Sequence, residues 1–305
     1  MEFFKANTKI DFMGQRKWAA LFSAILFIAS IVSLAANHLN FGLDFTGGTQ
    51  IELQYPQAAD FNAIRQNLVK AGFDQAQVQS YGTSRDVLIR IPPHKEFTEQ
   101  ALRDKLTAAL PGAKVQQIEY IGPQVGRSLV TNGLLAILVS LLATMAYIAF
   151  RFEMRFAISA AVALIHDPIL ILGIFSFFHL QFDLISLAAV LTIIGYSLND
   201  TIVVYDRVRE NFRRVRKGTP TEVMNLSINQ TLSRTIMTSG LTLLVVVALF
   251  IFGGATLHGF SLALIIGIII GTYSSIYVAG SLAISLGLNR SHLLPQAKKE
   301  LDSLP

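Results

Sequence analysis

The sequence predicts an α-helical integral membrane protein with six transmembrane helices and an external α+β domain between the first and the second. Three observations lead there. Of 305 residues, 52% are hydrophobic and 15% charged, against about a quarter charged in a soluble domain. Six stretches approach or exceed the roughly 20 apolar residues that a bilayer crossing needs. One long segment, Asn37 to Ser128, instead has ordinary soluble composition with strand-like and helical periodicities. Cysteine is absent, so no disulfide framework exists and the redox compartment stays open. The net charge of +5 matters less than its distribution over the loops, and no nucleic-acid partner is expected.

The chain opens with an N-terminal segment and first helix, residues 1–36. The span Trp18–Ala36 follows Lys5, Lys9, Arg16 and Lys17. A signal peptide with "SLAA" as its cleavage site is the competing reading, but the apolar run exceeds the about 7–15 residues of such a peptide. An uncleaved anchor is expected.

Residues 37–128 form the inserted domain. "GTQIELQY" alternates like a strand, and "DFNAIRQNLVKAG" has helical spacing at Phe61, Ile64 and Leu68 with a stop at Gly72. "AQVQSYG" and "DVLIRIPP" read as two strands around a turn at Thr83–Arg85. "FTEQALRDKLTAALPG" reads as a helix entered from Thr98, and "KVQQIEYIG" as a last strand. The order β-α-β-β-α-β predicts a ferredoxin-like domain, an arrangement that fixes no function. In "FGLDFTGGT" at its entrance, Gly47 and Gly48 permit a tight turn from the first helix into the first strand. A phosphate loop is excluded because no Lys follows in the required place.

Residues 129–288 carry the other spans: Leu129–Phe150, Phe156–Phe178, Leu184–Tyr205, Ile236–Gly254 and Ser261–Leu286. Basic residues sit in alternate connections. Arg151 and Arg155 flank the second gap, the arginine-rich loop 206–233 follows the fourth span, and Arg290, Lys298 and Lys299 mark the tail, 289–305. "HLQFD" and "GATLHG" have no basic residue, so both termini are expected in the cytoplasm and the inserted domain outside. In the loop, Thr219, Pro220 and Glu222 spell a helix start for an amphipathic cytoplasmic helix running toward Arg234.

Asp200 is the leading functional candidate. Without it and its neighbours the fourth span is too short to cross, so it lies below the surface, about 7–8 Å from the cytoplasmic end at 1.5 Å per residue. A carboxylate there costs roughly 2.5–3.5 kcal/mol on insertion scales. Thr192, Tyr196, Asn199 and Val203 share one helical stripe with Asp200 on its flank, predicted to face neighbouring helices. The competing reading is a buried Asp that only bonds a neighbouring helix. Arg234, just before the fifth span, is within snorkelling reach as its partner, or else is a plain basic flank; the residues alone leave these even.

His166-Asp167-Pro168 lies midway along the third span, either as a helix-shaping element or as a second polar station that titrates. No companion ligands suit a metal. Gly267 and Gly271 form a small-xxx-small pair for close helix packing, with Ser274 and Ser275 following. Nucleotide loops, nucleophile elbows and zinc constellations are lacking, so an enzyme with covalent catalysis is not expected.

The motifs "FGLDFTGGT", "IGPQVG", "HDP", "GYSLNDTIVVYDRVRENFR", "RKGTPTE" and "RTIMTSGLT" together resemble the SecF family, from about Phe41 to Leu288. This family comprises accessory subunits of the bacterial Sec protein-export machinery within the resistance-nodulation-division (RND) superfamily. The resemblance implies an RND half-transporter in the bacterial inner membrane, completed by a SecD-like subunit. It also implies association with the SecYEG channel, with YajC and YidC as further partners, and action on a translocating polypeptide. Gly42, Asp44, Gly47 and Gly48 fall in its signature. Asp200 and Arg234 fall where the family has its proton-dependent residues, and the adjacent Asn199 is expected in the same proton relay, so protons are the coupling ion and no cofactor is expected. Two alternatives stay open: a structural subunit that carries no protons, and half of a small-molecule exporter.

Overall fold

The computed structural model describes residues 9–81, 83–93, 99–215 and 218–289. The helix entry at Thr98, the basic residues Lys5, Arg290, Lys298 and Lys299, and the tail beyond 289 lie outside the described residues. Among the described residues, six helices are long and apolar enough to cross a membrane, which makes the chain a multi-pass membrane protein.

The first crossing helix, α1 (Arg16–Asn37), follows a 3-10 turn at Met13–Gln15. Its buried residues are Ser23, Ser30 and Ser33, while Trp18, Phe22, Ile25, Ile28 and Val32 are exposed. That inversion is stable only where the surroundings are as apolar as the exposed side chains; small polar residues then make the close helix contact. Ser33 donates to Ser176 (3.0 Å), whose hydroxyl donates to the Ser33 carbonyl (2.9 Å). A side chain at Gly173 would collide with Ser30.

After α1 the chain passes through β1 (Asn40–Phe41), the one-turn helix α2 (Leu43–Thr46), and β2 (Gly48–Gln54). Next come α3 (Phe61–Lys70), β3 (Gln77–Tyr81), β4 (Thr83–Ile91), α4 (Glu99–Ala109) and β5 (Lys114–Ile121). The last four strands form an antiparallel sheet in the order β3-β4-β2-β5, the split βαβ arrangement. Asp60 starts α3 by accepting from the Asn62 and Ala63 amides (2.9 and 3.1 Å). Alternation along the strands sends Ile51, Leu53, Val87, Ile89 and Ile91 against Ile64, Leu68, Leu102 and Leu106 of the helices. Thr83–Arg85, expected as a turn, are the first residues of β4. Thr83 pairs with Tyr81, and the Ser84 and Arg85 carbonyls accept from the Ala59 and Tyr55 amides, which holds this stretch extended.

The remaining crossings are α5 (Pro123–Arg151), α6 (Met154–Phe177), α7 (Leu184–Arg214), α8 (Pro220–Phe252) and α9 (Gly254–Ser274). A π turn, Ser275–Ala279, joins α9 to α10 (Gly280–Ser285). The inner helices are α6, α7 and α9, whereas α1, α5 and α8 leave most of their surface exposed. Helix α6 continues through Pro168.

The expected arginine-rich loop at 206–233 is instead two helix ends. Residues 206–214 extend α7, where Glu210 pairs with both Arg207 and Arg214 (2.8 Å each), the i,i+3 and i,i+4 spacing that supports a helix. Thr219 opens α8 through a reciprocal capping box with Glu222, and the expected short helix runs without a break into the fifth crossing, since nothing before Arg234 ends it. Asn211 of α7 donates to Ser227 and Gln230 of α8 (2.9 Å each), and Arg151 bonds Asp206 (3.1 Å).

The root of the α+β domain is tied to the bundle by β6 (Gln181–Phe182), which pairs parallel with β1. Gly47 and Gly48 adopt positive φ (70° and 123°), and a Cβ at Gly48 would strike the Ile91 carbonyl, so glycine is obligatory there. Gly126 of α5 lies against the Phe45 carbonyl and the Gly47 amide, so "IGPQVG" and "FGLDFTGG" meet in space. Gly42 is packed on Asp183 and Gln181. Asp44 accepts from the Leu184 amide (2.9 Å) at the start of α7, and Asp183 caps the same helix through Ser186 (2.7 Å).

Candidate functional site in the membrane bundle

The bundle has two apolar cores. One, nearer the α+β domain, contains Phe45, Ile171, Phe175, Val190, Ile193, Val246, Ala263 and Ile268. The other, at the opposite end, contains Leu164, Ile194, Tyr205, Val208, Met224, Ile228 and Ile276. Between the two cores lie buried polar residues, His166 and Asp167 on α6, Thr235 and Ser239 on α8, and Ser274 and Ser275 on α9, and α7 supplies Ser197 and Asp200 to the same layer.

Asp167 is the hub of this layer. It is 1% exposed, and its Oδ2 accepts from Ser197 of α7 (2.5 Å) and Ser274 of α9 (2.7 Å). Its Oδ1 lies 2.9 Å from His166 Nδ1. Three inner helices are therefore tied through one carboxylate. The His166 ring stacks on Phe27 of α1 (6.0 Å, 3°), while its Nε2 is buried with no hydrogen-bond partner among the described residues. His166 and Asp167, expected as a helix-shaping element or a second polar station, stand at the centre of a hydrogen-bonded cluster.

Asp200, 4% exposed, sits one turn further along α7 than Ser197. Its hydrogen bonding is sparse: Ser239 of α8 donates to Oδ2 at 3.4 Å, at the long limit. The same Ser239 hydroxyl pairs with Thr272 of α9 (2.9 Å) and lies 3.5 Å from the Tyr196 hydroxyl. Hydroxyls both donate and accept, so Asp200 stands at one end of a short hydroxyl chain spanning α7, α8 and α9. Arg234 is exposed on α8, near enough to attract the Asp200 carboxylate through space. The expected direct pair is not formed: no ion pair joins these two residues within 4.0 Å.

Asn199 does not join this cluster. It is exposed on α7, as is Thr192, so the expected stripe turns outward at those two residues and is half-buried at Tyr196 and Val203. The reason is local: successive helical residues are about 100° apart, and a helix that buries Ser197 and Asp200 must turn Asn199 away. Gly267 and Gly271 make their close contact within the chain, against Ile193 and Ser197 of α7. Ser274 is more than a packing residue, since it donates to Asp167.

Residues that sequence reasoning missed are Ser197, Ser239 and Thr272, together with a second layer around Tyr205. The Tyr205 hydroxyl is paired with Ser159 (2.7 Å) and donates to the Ala279 carbonyl at the end of the π turn (3.1 Å). A π turn alters the i→i−4 ladder, and such turns are frequent at functional sites. The signal was present, since hydroxyl residues inside apolar spans must find partners, but which partners they find depends on helix rotation.

Comparison with known proteins places this architecture. The family model described as "Protein export membrane protein SecD/SecF, C-terminal" matches residues 101–289, and that described as "SecD/SecF GG Motif" matches residues 32–59. The protein translocase subunit SecF of Vibrio alginolyticus is 48% identical over 310 residues, covering 99% of this chain and 98% of the relative. The SecF of Pseudomonas aeruginosa is 48% identical over 299 residues, covering 97% and 98%. Among solved structures, a Thermus SecDF, titled a translocon-associated membrane protein, superposes with a TM-score of 0.85 at 36% identity. That match covers 93% of this chain but 39% of the longer SecDF chain.

Proposed function

This chain belongs to the SecD/SecF family of protein-export membrane proteins as a SecF-type translocase subunit, and from that premise we propose that it couples proton movement through its bundle to polypeptide export. The observation that carries this reading is Asp200: a membrane-buried carboxyl with one long hydrogen bond, a hydroxyl chain on one side and Arg234 at a distance on the other. Buried carboxyl groups inside a bilayer are costly, and they mark ion pathways and proton relays. A protonated Asp200 would bond its hydroxyl neighbours, and an ionised one would draw Arg234 closer. With the proton taken from one side of the membrane and released to the other, each cycle carries one charge across, worth about 2.3 kcal/mol per 100 mV, through a helix whose first turn is held by Asp44 at the root of the α+β domain.

The remaining features fit that role. Arg151, Arg155, Arg207, Arg209, Arg213 and Arg214 cluster at the end opposite the α+β domain. By the positive-inside tendency this supports a cytoplasmic location for that end and an external α+β domain, in a bacterial inner membrane. The exposed apolar faces of α5 (Leu134, Leu138, Leu142) and α8 (Leu241, Leu244) suit lipid or a second half-transporter, which a SecD-like subunit would supply. SecYEG, YajC and YidC would be more distant partners, and the coupling ion would be the proton, with no cofactor.

The test is Asp200→Asn in the full chain, reconstituted with its partner subunit in sealed vesicles, with proton flux and export both measured under an imposed gradient. Loss of both is expected at unchanged protein level. Export at the wild-type rate would refute the proton role. A structural subunit is the second reading, favoured by the missing Asp200–Arg234 ion pair; it predicts lowered abundance of the complex with unchanged proton flux.

A further inference from the structure

We propose that the cleft between the open face of the four-stranded sheet and the adjoining end of the bundle binds an extended polypeptide in which apolar residues alternate with basic or polar ones. The proposal deepens the export reading and rests on it for the identity of the ligand class. The cleft measures about 980 Å³, at the upper end of ligand-binding cavities. Its two walls differ in chemistry, the sheet wall being polar and the bundle wall mixed.

The sheet wall follows from strand alternation. The residues that do not enter the domain core stand in two cross-strand rows. One row is Gln79–Leu88–Glu52–Gln117 and the other Gln77–Arg90–Gln50–Glu119, read from β3 to β5. All but Gln77 line the cleft. A glutamine amide both donates and accepts, so this wall can bond peptide groups and polar side chains of any sequence. The bundle wall offers the apolar side chains of Leu180, Leu184, Phe250 and Leu262, with Asp44, Gln181, Asp183, Thr256 and His258 among them. An extended chain sends alternate side chains to opposite faces. Lying between these walls, it would offer its apolar residues to the bundle and its polar ones to the sheet.

Charge selects among such chains. The cleft holds the carboxylates Asp44, Glu52, Asp183 and Glu119. The guanidinium of Arg90 is already bonded to Gln181 and Gln50, and is attracted by Asp183 and Asp44. The Glu52 carboxylate has neither a hydrogen bond nor an ion pair among the described residues. The unbalanced sign is therefore negative and favours lysine or arginine at the sheet-facing positions.

The experiment uses the full chain in nanodiscs. A photo-reactive residue replaces Leu88, or Asp104 on α4 as a control site, and the probe is a labelled fourteen-residue peptide of alternating leucine and lysine. Cross-linking is expected at position 88, displaced by unlabelled peptide, and not at 104. A peptide of the same composition in blocks, and the double variant Glu52→Lys/Glu119→Lys, should each weaken binding about tenfold. Equal labelling at both sites, or no effect of blocking and charge reversal, would overturn the proposal. So would cross-linking at position 88 in cells that yields lipid or a membrane subunit in place of peptide. Asp200→Asn should leave cross-linking unchanged, so failure of the proton reading and failure of the cleft are separately visible.

Discussion

Replacing Asp167 and Asp200 in turn by alanine separates two roles that look alike in sequence. Asp167→Ala removes the acceptor of two interhelical hydrogen bonds, from Ser197 at 2.5 Å and Ser274 at 2.7 Å, and of one contact within α6, from His166 at 2.9 Å. Interhelical hydrogen bonds in membrane proteins are worth about 0.6 kcal/mol on average and up to about 1.7. The two together set a loss of about 1–3 kcal/mol, before any cost of leaving buried hydroxyls unsatisfied. Asp200→Ala removes one contact at 3.4 Å, and on the same scale costs at most about 0.6 kcal/mol. The assay is denaturant-induced unfolding of the full chain in mild detergent, followed by helical circular dichroism. Asp167→Ala should unfold early and Asp200→Ala near wild type, with proton coupling lost in the latter. The geometry argued here would be refuted by an Asp167→Ala protein as stable as wild type, or by an Asp200→Ala protein that falls as far. Either outcome would mean that the two carboxyl groups do not divide anchoring and function as their partners indicate.

Two further outcomes follow from local geometry. Gly267→Ala places a methyl inside Ile193 of α7 and should cost about 1–3 kcal/mol by overpacking, whereas Gly271→Ala, whose Cβ would lie 3.1 Å from that of Ser197, should cost less; the same unfolding assay ranks them. In the α+β domain, the Thr83 hydroxyl (2.5 Å) holds the Asp86 carboxyl below its ordinary value of 3.8. A depressed folded-state value means a stabilisation that is full above the unfolded value and is lost as pH falls through the folded one. Thr83→Val should therefore flatten the loss of domain stability on acidification below about pH 4, measured by thermal melts across that range.

The residues made much of this legible. Six apolar runs are set by a property of each segment alone, its transfer from water to hydrocarbon, and the alternation in the α+β domain is equally local. Gly47 and Gly48 announced a turn because backbone freedom is intrinsic to glycine. The start of α8 at Thr219 was readable for the same reason, as was the burial of Asp200 from span length. Less legible was the stretch after Tyr205, where arginines read as solvated loop although the Glu210 pairs extend α7 by more than two turns.

Composition and periodicity were enough to pick out the six segments apolar enough to cross a membrane, the stretch that folds as an α+β domain, and a carboxyl within the fourth apolar run. Tertiary structure alone decided what that carboxyl meets. Asp200 meets Ser239, whose hydroxyl pairs in turn with Thr272, while its neighbour Asn199 faces outward, Asp167 collects serines from two other helices, and Arg234 stands off. The physical reason is that hydrophobicity fixes a helix's depth but only loosely its rotation, and about 100° separates one residue from the next. Which polar atoms come within 3 Å is settled by the packing of α6, α7, α8 and α9 together, through contacts such as Gly267 on Ile193 that no single helix contains.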